Sequence, residues 1–274
     1  MSIRLDLLVV ERRLAPNRSR AQSLILAGEV LVDGTPVTRA GARVPVDAQL
    51  GLACAPHPYV SRGGLKLEQA LSELQVPVEG RVCLDVGAST GGFTDCLLRH
   101  GACRVYAVDV GYGQLAWKIR QDPRVVALER VNARYLQEDQ LGERVDLGCV
   151  DVSFISLELI WPALRAAVRS GGDVLCLVKP QFEAGRSQVG KGGVVRDPQV
   201  HRSVLERLLA LAPGAGYHAR GLTFCRFPGP KGNLEFWLQL REGPGPQARV
   251  EPAAVVSAAH QWLRQEGRVP VEKS

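Results

Sequence analysis

The sequence predicts a doubly wound α/β domain behind a small N-terminal α+β unit, and three observations carry that prediction. From about residue 59 onward, short β-rich apolar runs alternate with helical patterns, as a parallel sheet covered on both faces requires. One run, Val82–Val86, delivers Asp85 onto the glycine-rich turn Gly87-Ala88-Ser89-Thr90-Gly91-Gly92, with a helix-like segment behind it. Twenty-four residues past Asp85, a second run, Val105–Val110, carries another acid, Asp109. Such sheets hold adenosine-bearing ligands in this way: the glycines let backbone approach the ligand, and the second acid accepts hydrogen bonds from ribose hydroxyls.

The elements of the N-terminal unit follow in order. Leu5 to Arg13 reads as a short amphipathic helix, and Asn17-Arg18-Ser19-Arg20 opens a second, Ala21 to Ala27, closed by Gly28. Val30 to Val37 is a hairpin turning at Asp33-Gly34, and a further strand, about Gln49 to Ala53, closes the small sheet. Ala53 to Pro58 is the linker, since Pro56 and Pro58 break both helix and ladder, so the expected domains are residues 1–58 and 59–274. The order of elements and the run Asn17–Gly34 resemble the S4 RNA-binding domain, and the resemblance implies Arg4, Arg18, Ser19 and Arg20 as candidate RNA contacts. Helix N-terminal amides and flanking arginines do attract phosphate; alone, the arginines read equally well as solvated surface charge.

In the second domain the expected strands are Val82–Val86, Val105–Val110, Val125–Leu128, Leu147–Val152 and Val174–Val178. The expected helices are Leu65–Leu74, Gly113–Arg120, Leu157–Val168 and His201–Ala212. Leu222–Phe227 and Leu234–Leu240 face each other across Pro228–Gly232 as a terminal hairpin, so the last strand should run against the others; Ala253 to Arg264 is a final helix. That ending belongs to Rossmann-like methyltransferase sheets more than to dinucleotide-binding ones.

Composition narrows the partners. The 274 residues are 46% hydrophobic and 23% charged, ample for a globular core. The formal charge of +6, carried by arginine more than lysine, suits an anionic partner. Seven cysteines without a CxxC pair or a His cluster at ligand spacing read as reduced thiols, neither a disulfide framework nor a metal site. With no signal peptide and no apolar run approaching a membrane span, the expected location is cytoplasmic.

The turn after Val86 lacks the GxGxxG spacing of dinucleotide sites. Asp85 would repel a pyrophosphate but suits the charged amino-acid end of S-adenosylmethionine. Asp85, Gly87, Ser89, Thr90, Gly91, Gly92 and Phe93 are therefore the expected cofactor loop, Asp109 the ribose acceptor and Asn132 the residue at the adenine edge. Asp109 has a rival reading as a helix-capping acid, and Asn132 as a plain turn residue. Gly185–Lys191 spells most of a phosphate loop, yet Gly192 stands where a magnesium-binding hydroxyl is needed. That stretch reads as a basic loop near the active site, with Lys191 a candidate RNA contact.

Ligands in open α/β sheets bind outside the carboxyl ends of the strands. Asp151 and Lys179 close the fourth and fifth strands there, Glu235 opens the antiparallel strand at the same edge, and Lys66 lies on the helix before the first strand. The Lys–Asp–Lys–Glu order resembles the tetrad of FtsJ-like RNA 2′-O-ribose methyltransferases, which implies a ribose hydroxyl as methyl acceptor. A ribose hydroxyl is a poor acid and needs a base, and a lysine serves only where burial or a neighbouring cation depresses its pKa. Lys179 is then the expected base, with Lys66 beside it, Asp151 holding Lys179, and Glu235 positioning Lys66 or the ribose. The strings SRGGLKL, LDVGASTGGFTD, DVGYGQLAWKIRQDPRV, DVSFISL, VKPQFE and GNLEF resemble the TlyA family, which joins an S4 domain to an FtsJ-like domain. The resemblance implies methylation of cytidine ribose in ribosomal RNA, with ribosomal RNA or ribosomal subunits as partners and no metal; some members carry the name hemolysin. The rivals are a base-modifying RNA methyltransferase, an S4-bearing pseudouridine synthase, and a non-catalytic RNA-binding or hemolysin-like protein. Where relatives place a basic residue two before an aromatic ahead of Ser61, this chain has His57-Pro58-Tyr59-Val60, which puts a coupling role for the linker in doubt.

Overall fold

A computed structural model describes residues 2–53, 57–229 and 232–266. Residues 54–56 of the expected linker, and Pro230 and Lys231 of the expected hairpin turn, lie outside the described residues.

The N-terminal unit runs β1 (Ser2–Arg4), α1 (Leu5–Glu11), α2 (Arg18–Leu26), β2 (Val30–Val32), β3 (Thr35–Pro36), β4 (Arg43–Pro45) and β5 (Leu50–Leu52). The second helix starts three residues before the apolar pattern does, because the Asn17 side chain accepts from the Arg20 amide at 2.9 Å and caps it. Asp33 and Gly34 both take φ > 0 (49° and 78°), the left-handed pair that a tight hairpin demands. β2 pairs with both β3 and β5, as the alternation implies. A second ladder, β1 against β4, has no counterpart in the sequence reading, since three-residue strands carry too little periodicity to detect. Leu5, Leu8, Val9, Leu24, Ile25 and Val30 form this unit's core.

The larger domain continues with α3 (Gly63–Glu73), β6 (Val82–Val86), α4 (Gly92–Arg99), β7 (Arg104–Asp109), α5 (Trp117–Arg120), β8 (Val125–Glu129) and β9 (Val145–Val150). It closes with α6 (Trp161–Ala167), β10 (Val168–Val178), α7 (Pro180–Glu183), α8 (Pro198–Leu211), β11 (Tyr217–Phe224), β12 (Phe236–Glu242) and α9 (Pro252–Glu266). The sheet order is β11-β12-β10-β9-β6-β7-β8, parallel except for β12, which runs against both its neighbours. Side chains alternate along β6: Leu84 and Val86 pack with Trp161, Leu164 and Leu208 on one face, while Cys83 packs with Leu67, Leu97 and Leu147 on the other.

Two helices differ from expectation. The segment from Gly113 is a turn as far as Ala116, because Gly113 sits at φ 69° and Ala116 at ψ 138°, and only Trp117–Arg120 is helical. The helix expected to reach Val168 stops at Ala167; Val168 instead begins an eleven-residue strand with an irregularity between Val168 and Asp173, where Gly171 takes φ 72°.

Candidate active site

Gly87 ends β6 at φ 88°, and a Cβ there would stand 2.5 Å from the Asp151 carbonyl oxygen. The glycine therefore lets the ends of the paired strands β6 and β9 approach closely, and the Asp151 amide donates to Val86 O at 2.9 Å there. Gly92, at the first turn of α4, approaches Ser61 and Gly64 as closely: a Cβ would meet Ser61 Oγ at 2.3 Å. Thr90, buried, accepts the Ala116 amide on its carbonyl at 3.1 Å, and Ser89 takes φ 47°.

Asp85 is fully buried at the end of β6. Its Oδ2 accepts from the Thr94 amide at 2.9 Å and the Thr94 hydroxyl at 2.6 Å, while its Oδ1 lacks a hydrogen-bond partner. Burial pushes its carboxyl up to about 7, against the pull of Thr94. The residue thus braces the start of α4 and retains one buried acceptor that a cationic group would satisfy. Asp109 accepts from the Ser89 amide on one oxygen and the Gly111 amide on the other, each at 2.7 Å, so it shapes the loop with an acceptor lone pair to spare on each atom. Glycines that admit a close neighbour, an unsatisfied buried carboxylate oxygen and a strand-end acid fit S-adenosylmethionine.

Two members of the expected cofactor set make other contacts in this structure. Phe93 is on the inner side of α4, 3% exposed, with its ring 5.6 Å from that of Trp237; it belongs to the core between helix and sheet. Exposed Asn132 accepts the Arg134 amide at 3.0 Å and caps a short 3₁₀ turn after β8, the role of a turn asparagine.

The four charged residues meet as two ion pairs. Lys66 Nζ donates to Glu235 Oε2 at 2.6 Å, and Lys179 Nζ lies 2.6 Å from Asp151 Oδ1 and donates to Ser153 Oγ at 2.9 Å. Asp151 and Lys179 sit one residue past the ends of β9 and β10, and Glu235 one residue before β12, so parallel and antiparallel strands deliver them to a single edge. Burial pulls the Lys66 ammonium down, but Glu235 and Asp151 outweigh it and hold the group charged above its ordinary value. Burial likewise pushes Asp151 up, and Lys179 together with Lys66 more than reverses that. The order of influence is an alternating chain, Lys179–Asp151–Lys66–Glu235, in which Asp151 joins the pairs.

Phe154 escaped the sequence reading. Its ring is 88% exposed, its φ is 64°, and its centroid lies 4.7 Å from that of Phe182, whose ring is 6.0 Å from Lys179 Nζ. A bulky side chain held out to solvent from the left-handed region is a marked departure from what the backbone prefers. Only its place three residues past Asp151 hinted at it in the sequence.

The arginines of the N-terminal unit serve mainly inside the protein. Arg4 and Arg18 both donate to the buried Asp6 carboxylate, at 2.9–3.0 Å, with Gln22 as a third donor at 3.0 Å. Arg20 turns inward: its guanidinium donates to the carbonyls of Tyr59 and His57, stapling α2 to the chain entering the second domain. His57 pairs with the buried Glu29 at 2.9 Å, and Glu29 also accepts the Arg62 amide at 2.5 Å. Ser19 is exposed, as is Lys191, whose loop hangs on Asn233: the Val195 amide and the Gly193 carbonyl both bond that side chain, two residues from Glu235. Among the described residues there is no group of His, Cys, Asp and Glu able to hold a metal ion, and no helix long and apolar enough to cross a membrane.

Comparison with known proteins places this arrangement. The S4 domain family matches residues 3–50 and the FtsJ-like methyltransferase family matches residues 59–242. The 16S/23S rRNA (cytidine-2′-O)-methyltransferase TlyA of Mycobacterium tuberculosis is 48% identical over 239 residues, 87% of this chain and 89% of that protein. A Bacillus subtilis protein named provisionally as the rRNA methyltransferase YqxC is 47% identical over 268 residues, 96% of this chain and 95% of its own. A solved structure provisionally titled a hemolysin, from Streptococcus thermophilus, superposes with a TM-score of 0.79 at 42% identity and covers 98% of this chain and 99% of that one. The chain belongs to the FtsJ-like methyltransferase family, in the TlyA branch that sets an S4 domain ahead of the catalytic sheet.

Proposed function

We propose that the protein methylates the 2′-hydroxyl of cytidine in ribosomal RNA, with Lys179 as the base. The observation that carries this reading is the alternating chain of charge at the sheet edge, anchored one residue past β9 and β10. S-adenosylmethionine, when bound, supplies an electrophilic methyl group at the glycine-rich turn. Gly87, Gly91 and Gly92 let Asp151, Leu115 and Ser61 close in around the turn that would hold it; Asp85 would meet its amino-acid end with a free buried oxygen and Asp109 would take the ribose hydroxyls, with Ser89 and Thr90 completing the loop.

Lys179, once it has given up its own proton, accepts the proton of the ribose hydroxyl as the oxygen becomes a nucleophile. Asp151 and Ser153 fix the direction of its nitrogen. Lys66, held charged by Glu235, offers a cation to the oxygen as negative charge develops on it. Phe154 and Phe182 present a ring face beside the lysine on which a single unstacked base can rest, a contact type that contributes about 1–3 kcal/mol. Exposed Ser19 and Lys191, with the outward edges of Arg4 and Arg18, supply contacts to the RNA backbone. The substrate places the enzyme in the cytoplasm.

Cytosine C5 methylation would need a thiolate in the cleft. Cys225, close enough to Lys66 for each to affect the other's charge, is buried and pushed up to about 11; Cys176 is pushed to about 12 and Cys149 well above its ordinary value. None of these three is poised to attack a base. Incubation with ribosomal subunits and labelled S-adenosylmethionine, then digestion to nucleosides, tests the reading: 2′-O-methylcytidine is expected, and label on the base overturns it.

A further inference from the structure

We propose that Glu183 is the positioning residue that sets the approach of Asp151 to Lys179; this rests on the catalytic reading above. The parallel ladder between β9 and β10 makes its last pairing at Val150 and Cys176. Both members of the ion pair lie beyond that last rung: the Asp151 amide still bonds Val86 O and β10 stays paired with β12 to Val178, but β9 and β10 no longer bond each other there. One segment runs from Asp151 to Leu157, and includes Ser153 and Phe154. The other runs from Lys179 through α7, a single turn that Pro180 opens and Glu183 closes.

The Glu183 carboxylate joins the two. Its Oε1 accepts the Leu157 amide at 2.8 Å, and its Oε2 accepts the Ser156 hydroxyl at 2.8 Å and Arg207 Nη2 at 2.6 Å. The side chain is 2% exposed, so water does not substitute for these donors. Arg207, from α8, also donates to the Glu183 carbonyl and pairs with Glu158 at 2.9 Å, which fixes the carboxylate from the side away from the cleft. One buried acid, four residues downstream of Lys179, therefore bonds the residues five and six downstream of Asp151. It closes a loop through both strand ends whose opposite side is the 2.6 Å contact of Asp151 with Lys179. The left-handed backbone at Phe154, with φ of 64°, lies inside that loop. Glu183 touches no reacting atom. It acts by fixing where Asp151 and Ser153 stand relative to the lysine, and displacement of a catalytic group by about 1 Å lowers rate on the order of a hundredfold.

Steady-state kinetics of the full-length enzyme on ribosomal subunits test this, run well below each variant's melting temperature. E183A is expected to lower kcat by about 10- to 100-fold with KM for S-adenosylmethionine changed less than about twofold. E183Q, which keeps the acceptor for Leu157 and can donate to Ser156 Oγ but turns an N–H toward Arg207, is expected to recover part of that loss. On top of D151A, the E183A change should cost less than about twofold more, since the residue it positions is already gone. S156A removes one bond from an outer loop and should lower kcat several-fold without moving the melting temperature. Unchanged kcat in E183A overturns the proposal; if E183A does not fold, unchanged kcat in S156A does. Losses that simply multiply in the double variant overturn it too, because they make Glu183 a brace for the fold alone. Nucleoside analysis of the wild-type product separates this from failure of the catalytic reading, which would show as methyl on the base.

Discussion

The arginines of the N-terminal unit and the lysines of the sheet edge are both cations placed beside recognisable motifs, yet the fold uses them in opposite ways. Lys66 and Lys179 reach the cleft, each paired with a carboxylate and each about one-tenth exposed. Arg4 and Arg18 converge instead on one buried acid, Asp6, and Arg20 is spent on backbone carbonyls between the domains. The difference lies in how each position is determined. Lys179 follows a parallel strand end, so the sheet delivers it to the edge, and Lys66 reaches that edge from α3 by pairing with Glu235. Arg4, ending β1, and Arg18 and Arg20, on α2, face whatever the rest of the unit brings opposite to them, and here that was Asp6 and the linker.

The largest effect that would break this contrast is catalytic. Lys179→Ala should reduce methyl transfer by about 10²- to 10⁴-fold, the span for loss of a general base, while RNA binding in a filter assay stays within about twofold. Retained turnover would remove Lys179 from the chemistry.

Acid should next separate the two domains. His201 is buried and pressed against His260 at 2.9 Å, and burial, then the neighbouring ring, lowers it to about 4. Its unfolded value is near 6.5, so the unfolded chain binds the extra proton as pH falls from about 6.5 to 4, and stability falls through that window, by up to about 3 kcal/mol. Asp6 behaves in the other sense: Arg4, with Gln22 and Arg18, holds it well below the usual carboxylate range. Its contribution is present above about pH 4 and is lost only as pH drops further. Melting followed by hydrogen exchange should therefore show α8 and α9 loosening near pH 5 while α1 and α2 stay protected, and a simultaneous loss would contradict the assignment. At neutral pH, Asp6→Ala should weaken the N-terminal unit by about 1–3 kcal/mol in urea, since its three donors are left without their acceptor but two of them reach water.

The smallest effect separates the arginines themselves. Arg18→Ala should lower the salt slope of RNA binding by about one, as loss of a phosphate contact does. Arg20→Ala should leave that slope nearly unchanged and instead lower the cooperativity of domain unfolding in calorimetry. Equal slopes would return Arg20 to the RNA surface.

Much of the site was legible because sheet topology converts sequence order into position. The bounds of β6, the reversal of β12 and the arrival of Asp151, Lys179 and Glu235 at one edge all follow from apolar runs and their spacing. Other features carried no local signal. Phe93 follows the glycine turn as a cofactor contact would, but α4 turns it into the core against Trp237. Phe154 reads as one more apolar residue until its φ puts it in solvent. Glu183 sits in the string beside Lys179, yet its partners are 24 to 27 residues away in sequence and reach it only through the sheet.

The sequence by itself determined the two-domain order, the glycine-rich turn after β6 and which four charged residues would share an edge, because strand period and strand ends are local properties. Tertiary structure alone decided which carboxylate holds which lysine, which arginines remain for an RNA, and what fixes the reactive pair beyond the last rung of the ladder. Those are contacts between side chains far apart in the chain, and burial and packing at the point of meeting select them.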